Sequence, residues 1–313
     1  MDFRSLLRYF LKNYPSEQNP VPELPEVETI ARTLAPQVVG RTITSTHILR
    51  PASLAAGTAL VPALAGGRIQ HVARRGKLLT LGLAPAGSAG AFPVPVPGLP
   101  PAALYLVFHL KMTGSLFVHS PDAAPGKHTR LMFDLCRNGV AESRLFFNDI
   151  RTFGYCRVMA PEDFAAWKFF TSLGSEPLST DNQNIAKALG HGKMRIKAAL
   201  LDQRRLAGVG NIYADESLFR AKIAPQTKTA DLSRTALLRL AASLKAVLQQ
   251  AVRECGSSIR DYRDAAGNAG AFQNSFMVYG RKGEKCKICE SPLQCSNVAG
   301  RTTIHCPRCQ KQS

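Results

Sequence analysis

The strongest chemical pattern in the chain is a set of four cysteines near its C-terminal end: Cys286-x-x-Cys289, 16 intervening residues, then Cys306-x-x-Cys309. Each pair offers two thiolates to one tetrahedral metal, and the spacer is long enough for a β-hairpin. That spacing predicts one structural Zn2+ held by Cys286, Cys289, Cys306 and Cys309. A site closed by four thiolates leaves no open position, so the metal is expected to hold shape and not to catalyse. Cys295 and His305 lie inside the spacer and read as non-ligands. Arg301 lies in the same hairpin, where a rigid finger can press a cation into a DNA groove or against a phosphate. A second pattern is Gly208-Val209-Gly210-Asn211, set among Lys187, Lys193, Arg195, Lys197, Arg204 and Arg205. Glycines let a backbone approach a phosphate, and a following helix N-terminus attracts anions. Together with the basic cluster this points to a phosphate clamp of helix–turn–helix type. The plain alternative is a solvated basic face.

These groups must be carried by larger elements. With 313 residues the chain is expected to form two or three domains. A 45% apolar and 20% charged composition fits a globular protein and excludes wholesale disorder. Forty Lys and Arg against 22 Asp and Glu leave a net charge of +18, which calls for a polyanionic partner. No apolar run reaches the roughly 20 residues that span a bilayer, so nucleic acid is the expected polyanion. Val27, Ile30, Ala31 and Leu34 recur at helical spacing after Pro25, predicting a helix over 25–35 with Glu26 and Glu28 near its positive end. Short β-rich segments follow at 42–49, 68–73, 78–83, 104–110, 115–118, 131–135, 144–147 and 155–158, which suggests a sandwich or barrel. The Ala-, Pro- and Gly-rich stretch 84–103 reads as a loop insertion with polyproline character. After Pro161 the chain turns helical, with helices over 196–201 and 214–219 and a long amphipathic one around Leu237–Ala251 capped by Asp231 or Ser233. The expected fold class is α+β and multidomain: an N-terminal β-sandwich with flanking helices over 22–160, a helical DNA-binding domain over 161–272 and a zinc finger over 273–313.

A third pattern is Pro22-Glu23-Leu24-Pro25-Glu26-Val27-Glu28. With it stand Arg75-Gly76-Lys77, His109-Leu110-Lys111-Met112-Thr113-Gly114, Asp149-Ile150-Arg151-Thr152-Phe153-Gly154, Gly208-Val209-Gly210-Asn211-Ile212-Tyr213-Ala214 and Tyr279-Gly280-Arg281-Lys282-Gly283. In this order, and followed by the cysteine finger, they resemble the formamidopyrimidine-DNA glycosylases, bifunctional base-excision repair enzymes with a helix-two-turn-helix domain. The resemblance implies that Pro22 is the nucleophile, its secondary amine attacking the sugar C1′ and displacing the damaged base. It implies Glu23 as the acid that protonates the sugar ring oxygen, Lys77 as a proton donor and phosphate contact, and Arg301 as a participant in the second elimination. Met112, Arg151 and Phe153 match the residues that fill the gap left by an extruded base. Lys197 and Asn211 are then expected at backbone phosphates and His128 at the DNA surface, with Lys193 of the basic cluster among the DNA-binding residues. His109 reads as a satisfied core histidine, and 256–272 resembles the loop that closes over the extruded base. The implied partner is double-stranded DNA containing a damaged base, met by a monomer in the bacterial cytoplasm at the nucleoid.

Two features depart from the family pattern. An internal proline nitrogen is a tertiary amide and not a nucleophile, so residues 1–21 block the implied chemistry. They are read as a disordered tail outside the native start: Val21 stands where the family has its initiator methionine, and translation from there with loss of the first residue exposes Pro22. Proteolytic removal of the segment would expose the same nitrogen, and a non-catalytic relative would have no need of it. Thr152 stands where a basic residue often follows the gap-filling arginine, removing one backbone contact. Pro-Glu-Leu-Pro-Glu-Val-Glu favours the branch acting on oxidised purines over its sister branch acting on oxidised pyrimidines, and a zinc protein that only binds DNA is the rival from another class.

Overall fold

A computed structural model describes residues 22–85, 94–259 and 262–311. The expectations for residues 1–21 and for the middle of the proline-rich stretch therefore fall outside the described residues. Helix α1 (Leu24–Val38) is capped by a reciprocal box between Glu23 and Glu26, whose carboxylate accepts from the Glu23 amide at 2.9 Å. The helix runs three residues past the predicted end, and Pro36 lies in its last turn. Its apolar face, with Val27, Ile30, Leu34 and Val38, is buried against the sheet.

The strands are β1 (Thr42–Ile48), β2 (Leu54–Ala56), β3 (Arg68–Arg75), β4 (Leu78–Ala84), β5 (Leu104–His109), β6 (Gly114–His119), β7 (Thr129–Arg137), β8 (Val140–Asp149) and β9 (Tyr155–Met159). They form one sheet in the order β2-β9-β5-β4-β3-β1-β7-β8-β6. A single residue pair, Thr42 with Arg68, joins β1 to β3, so the sheet nearly divides there. The two halves share one core with α1, in which Phe108, Phe133 and Phe147 meet edge-on or tilted. This is the expected sandwich. Strand β2 was not anticipated, because three residues carry no readable alternation. Residues 94–103 of the insertion are loop without helix or strand, and Val96 and Ala102 among them are buried with Tyr105 and Phe164 on the other face of β5.

The second half is helical: α2 (Pro161–Ala166), α3 (Lys168–Thr171), α4 (Asn182–Gly190), α5 (Ile196–Leu201), α6 (Asn211–Arg220) and α7 (Arg234–Arg253). Of the two expected caps of α7, Asp231 and Ser233, it is Ser233 that accepts from the Ala236 amide, at 3.2 Å. Leu24, at the head of α1, is buried within this second core, so the segment bearing Pro22 and Glu23 is shared between sheet and helices. Strands β10 (Gln294–Val298) and β11 (Arg301–His305) make the terminal hairpin. Its two-residue turn, Ala299-Gly300, has positive φ at both positions, as a tight primed turn requires, and sets Arg301 directly after it.

Candidate active site and nucleic-acid interface

Glu23 is the centre of the site. It is 3% exposed, and its carboxylate accepts from the Ile212 amide in the first turn of α6 at 3.2 Å. Burial drives its pKa up to about 7 against the opposing pull of Lys77. Near neutral pH a large share of this carboxyl therefore still carries a proton, as a general acid requires. Pro22 is buried beside it.

The Gly-Val-Gly-Asn turn acts differently from the phosphate clamp read in the sequence. The Gly208 carbonyl accepts from the Leu24 amide at 3.0 Å, and Gly208 has φ +87°. A Cβ on Gly208 would lie 2.7 Å from Leu24, and one on Gly210 would lie 2.2 Å from the Glu23 carboxyl carbon. What these glycines admit is the segment that carries Pro22 and Glu23. Gln203 braces the turn, accepting from the Gly208 amide at 2.8 Å and donating to the Val209 carbonyl at 2.7 Å.

A cleft with a cavity volume of about 490 Å³ brings together Glu23, Lys77, His109, Asn211 and Arg301. Burial lowers the pKa of Lys77. Lys77 sits in the Gly76-Lys77 turn between β3 and β4, held by Glu176, which accepts from the Gly76 amide at 2.5 Å and from the side chains of Arg75 at 2.9 Å and Arg74 at 2.8 Å; Arg74 also reaches Glu28 of α1 at 2.9 Å. His109 is held at a pKa of about 3, first by burial and then by Lys111 and Lys77. Its Nδ1 accepts from the Lys111 amide at 3.1 Å, which leaves the neutral ring with a proton on Nε2. The expected satisfied histidine is thus found, but it lines the cleft.

Met112, Arg151 and Phe153 sit on two neighbouring loops. Phe153 is 54% exposed with Arg151 stacked over its ring at 5.3 Å, and Met112 is half-buried. None of the three is a core residue. Asp149, fully buried, clamps both loops: it accepts from the Thr113 hydroxyl and, at 2.7 Å, from the Gly154 amide. Its own amide donates to the His128 carbonyl at 2.9 Å, which ties the half-buried His128 to the same assembly. Thr152 adopts φ +61°, a left-handed conformation costly for a β-branched residue.

Two of the lysines expected at the DNA differ in kind. Lys193 is exposed. Lys197 is 0% exposed: its ammonium pairs with Asp215 of α6 at 2.6 Å and donates to Thr303 Oγ1 at 2.7 Å and the Thr302 carbonyl at 3.2 Å. This burial argues against the phosphate contact expected of Lys197. A buried cation facing a buried carboxylate serves as a tether between α5, α6 and β11, next to Arg301. Asn211 lines the cleft and also donates to the Thr302 carbonyl, at 3.1 Å.

Sequence reasoning missed Glu26 as more than a helix-dipole partner. It is buried, accepts from the Tyr213 hydroxyl and from the Ser257 amide at 2.8 Å, and fixes the first turn of α1 to α6 and the loop after α7. Glu216 was missed likewise; it accepts from the amides of Met277, Val278 and Tyr279 and anchors the approach to the finger. Only burial distinguishes these carboxylates from surface ones.

The sulfur atoms of Cys286, Cys289, Cys306 and Cys309 lie within 4.8 Å of one another. A tetrahedral zinc site with Zn–S bonds of about 2.3 Å needs sulfurs about 3.8 Å apart; the measured Cys286–Cys309 and Cys289–Cys306 separations are 3.9 and 3.4 Å. Cys295 and His305 are not in this group. Among the described residues, no helix is long and apolar enough to cross a membrane.

Comparison with known proteins bears on this geometry. Residues 21–156 match the formamidopyrimidine-DNA glycosylase N-terminal domain and residues 173–263 the H2TH domain of the same enzymes. The formamidopyrimidine-DNA glycosylases of Nitratidesulfovibrio vulgaris and Geobacillus kaustophilus are each 40% identical, over 93% of this chain and 100% of theirs. A Lactococcus lactis FPG variant in complex with Fapy-dG-containing DNA superposes with TM-score 0.80 at 34% identity, covering 93% of this chain and all of that one. The same protein bound to oxidized-pyrimidine-containing DNA gives 0.79 at 33% with the same coverage.

Proposed function

This chain belongs to the formamidopyrimidine-DNA glycosylase family, and from that premise we propose that it excises oxidised purines, 8-oxoguanine and formamidopyrimidines, from double-stranded DNA and then cuts the strand. The observation that carries this reading is a protonatable Glu23 buried beside Pro22 at the rim of a cleft that also holds Lys77 and Arg301.

The reaction begins with a free Pro22 amine. Its lone pair bonds to C1′ of the damaged nucleotide, and the base leaves with the glycosidic electrons. Glu23 gives its proton to the ring oxygen as the ring opens to an iminium. Loss of a C2′ proton expels the 3′ phosphate, and a second elimination expels the 5′ phosphate, with Arg301 and Lys77 balancing the negative charge. Met112, Arg151 and Phe153 occupy the space of the extruded nucleotide. Asn211 and Lys193 hold phosphates, and His128 meets the DNA surface. The four cysteines would hold one Zn2+, whose contribution is to keep the hairpin rigid behind Arg301. The domain division at residues 160 and 272, a monomeric state and a cytoplasmic location at the nucleoid belong to the same proposal.

The chemistry requires release of Pro22 from its peptide bond to Val21. The test is single-turnover excision on a duplex with one 8-oxoguanine, comparing protein beginning at Pro22 with the 313-residue chain. The shorter protein is expected to release the base and cut on both sides of the sugar, and the longer one to do neither. Equal activity from a verified intact 313-residue chain would overturn the proposal. The complex of the Lactococcus lactis protein with oxidized-pyrimidine DNA supports pyrimidine lesions as a second substrate class.

A further inference from the structure

One side of the catalytic cleft carries a group of side chains that the excision chemistry leaves unused. Tyr155 and Arg157 project from the same face of β9. The Arg157 guanidinium lies over the Trp167 ring at 4.6 Å and the Tyr155 ring at 5.9 Å, and Lys111 lies over Tyr155 at 5.5 Å. Phe169 continues the row, 5.1 Å from Trp167 centroid to centroid. Neighbouring Phe164 and Phe170 are buried in the sheet's outer core, whereas Phe169 is 39% exposed and lines the cleft with His109 and Lys111. Arg157 Nε is buried without a hydrogen-bond partner among the described residues. An apolar ring kept at the rim of a polar cleft, backed by stacked cations, is a surface built for a flat, negatively carried group.

We propose that Phe169 and Trp167, with Arg157 and Lys111, form a stacking ledge that receives an unpaired nucleotide of the cut strand as it leaves the catalytic cleft. The proposal rests on the excision reading above. Bases within a duplex hide their faces in the stack, so an aromatic ledge gains only from a base already unpaired. Strand cleavage leaves a gap beside the cleft, and a base pair at a strand end opens more readily than one inside a continuous stack. Continuity with Lys111 and His109 puts the ledge at the cleft's own edge, and the cations match the phosphates that accompany the base.

Trp167 is the single tryptophan of the chain, so its emission reports on the ledge alone. The 313-residue protein is titrated with an intact duplex and with the same duplex cut centrally so that two nucleotides of the cut strand are unpaired. Quenching of Trp167 is expected with the cut duplex alone, together with tighter binding. Phe169→Ala is expected to weaken the cut duplex by roughly tenfold, as loss of one base–aromatic stack does, and the intact duplex by less than twofold. Replacing the two unpaired nucleotides with abasic units should remove the gain. Equal quenching by both duplexes, a gain that survives the abasic units, or an unaffected Phe169→Ala variant would overturn the ledge while leaving the excision reading standing. Failure to bind the intact duplex would instead bring down the excision reading, and the ledge with it.

Discussion

The two working ends of this molecule are built on opposite principles. Glu23 is buried and its surroundings are braced: Glu26 holds the helix start, Gly208 and Gly210 admit the backbone, and Ile212 aims its amide at the carboxyl. At the Met112, Arg151 and Phe153 loops, the ends are clamped through Asp149 but the tips stand in solvent, with Phe153 more than half exposed. The contrast fits the tasks proposed for them. Tuning a carboxyl into an acid needs desolvation and fixed dipoles, whereas entering a base stack needs an apolar tip not already satisfied by protein.

The largest effects are expected where the buried end is breached. Glu23→Gln should slow base release by roughly 10²–10⁴-fold, the usual contribution of a positioned acid. Gly210→Ala should approach that loss, because its methyl group would meet the carboxyl at 2.2 Å. Single-turnover excision by protein starting at Pro22 measures both; near-normal rates in either would remove Glu23 from its role. The same carboxyl sets a pH limb. Its pKa is raised, so the active protonated form prevails up to about pH 7, and base release should fall about tenfold per unit above that. In Glu23→Gln that limb should vanish.

Next in size is the tether. Lys197→Met leaves Asp215 buried without its cation, and a loss of stability of about 3 kcal/mol is expected in denaturant unfolding. The slope of DNA affinity against salt should not change in this variant, whereas Lys193→Ala, which removes an exposed charge, should reduce it by about one. A reduced slope in Lys197→Met would restore the phosphate role that burial argues against.

At the exposed end, Phe153→Ala should leave unfolding within about 0.5 kcal/mol, as surface changes do, yet weaken binding to lesion-containing duplex about tenfold. Loss of stability without loss of binding would make Phe153 a packing residue and erase the contrast. The smallest effect is expected at Cys255, exposed at the end of α7 with φ +59°. Cys255→Gly should raise stability by about 0.5 kcal/mol by relieving a left-handed side chain.

Much of this was readable from residue order. Eight of the nine strands in the large sheet fall on short β-rich segments, Ser233 marks its helix, and the cysteine spacing specifies the four-sulfur cluster. Helix α4 carried a signal that was not read, since Asp181 caps it through the Asn184 amide at 2.8 Å. Other features cannot be read locally. Gly210 and Glu23 are neighbours only in space, so the glycine was assigned to an external phosphate. Lys197 belongs to a basic cluster in sequence, but residue type does not reveal that it is folded inside against Asp215. Glu26, Asp149 and Glu216 have the composition of surface carboxylates and acquire their roles through burial.

The central claim is that the Pro22 nitrogen bonds to deoxyribose. Borohydride reduction during turnover of an 8-oxoguanine duplex by protein beginning at Pro22, followed by peptide mapping of the adduct, tests it directly. The account predicts a sugar remnant on the peptide that starts at Pro22, attached to its nitrogen. An adduct on Lys77 or any other lysine, or strand cutting with no trapped protein, would contradict it.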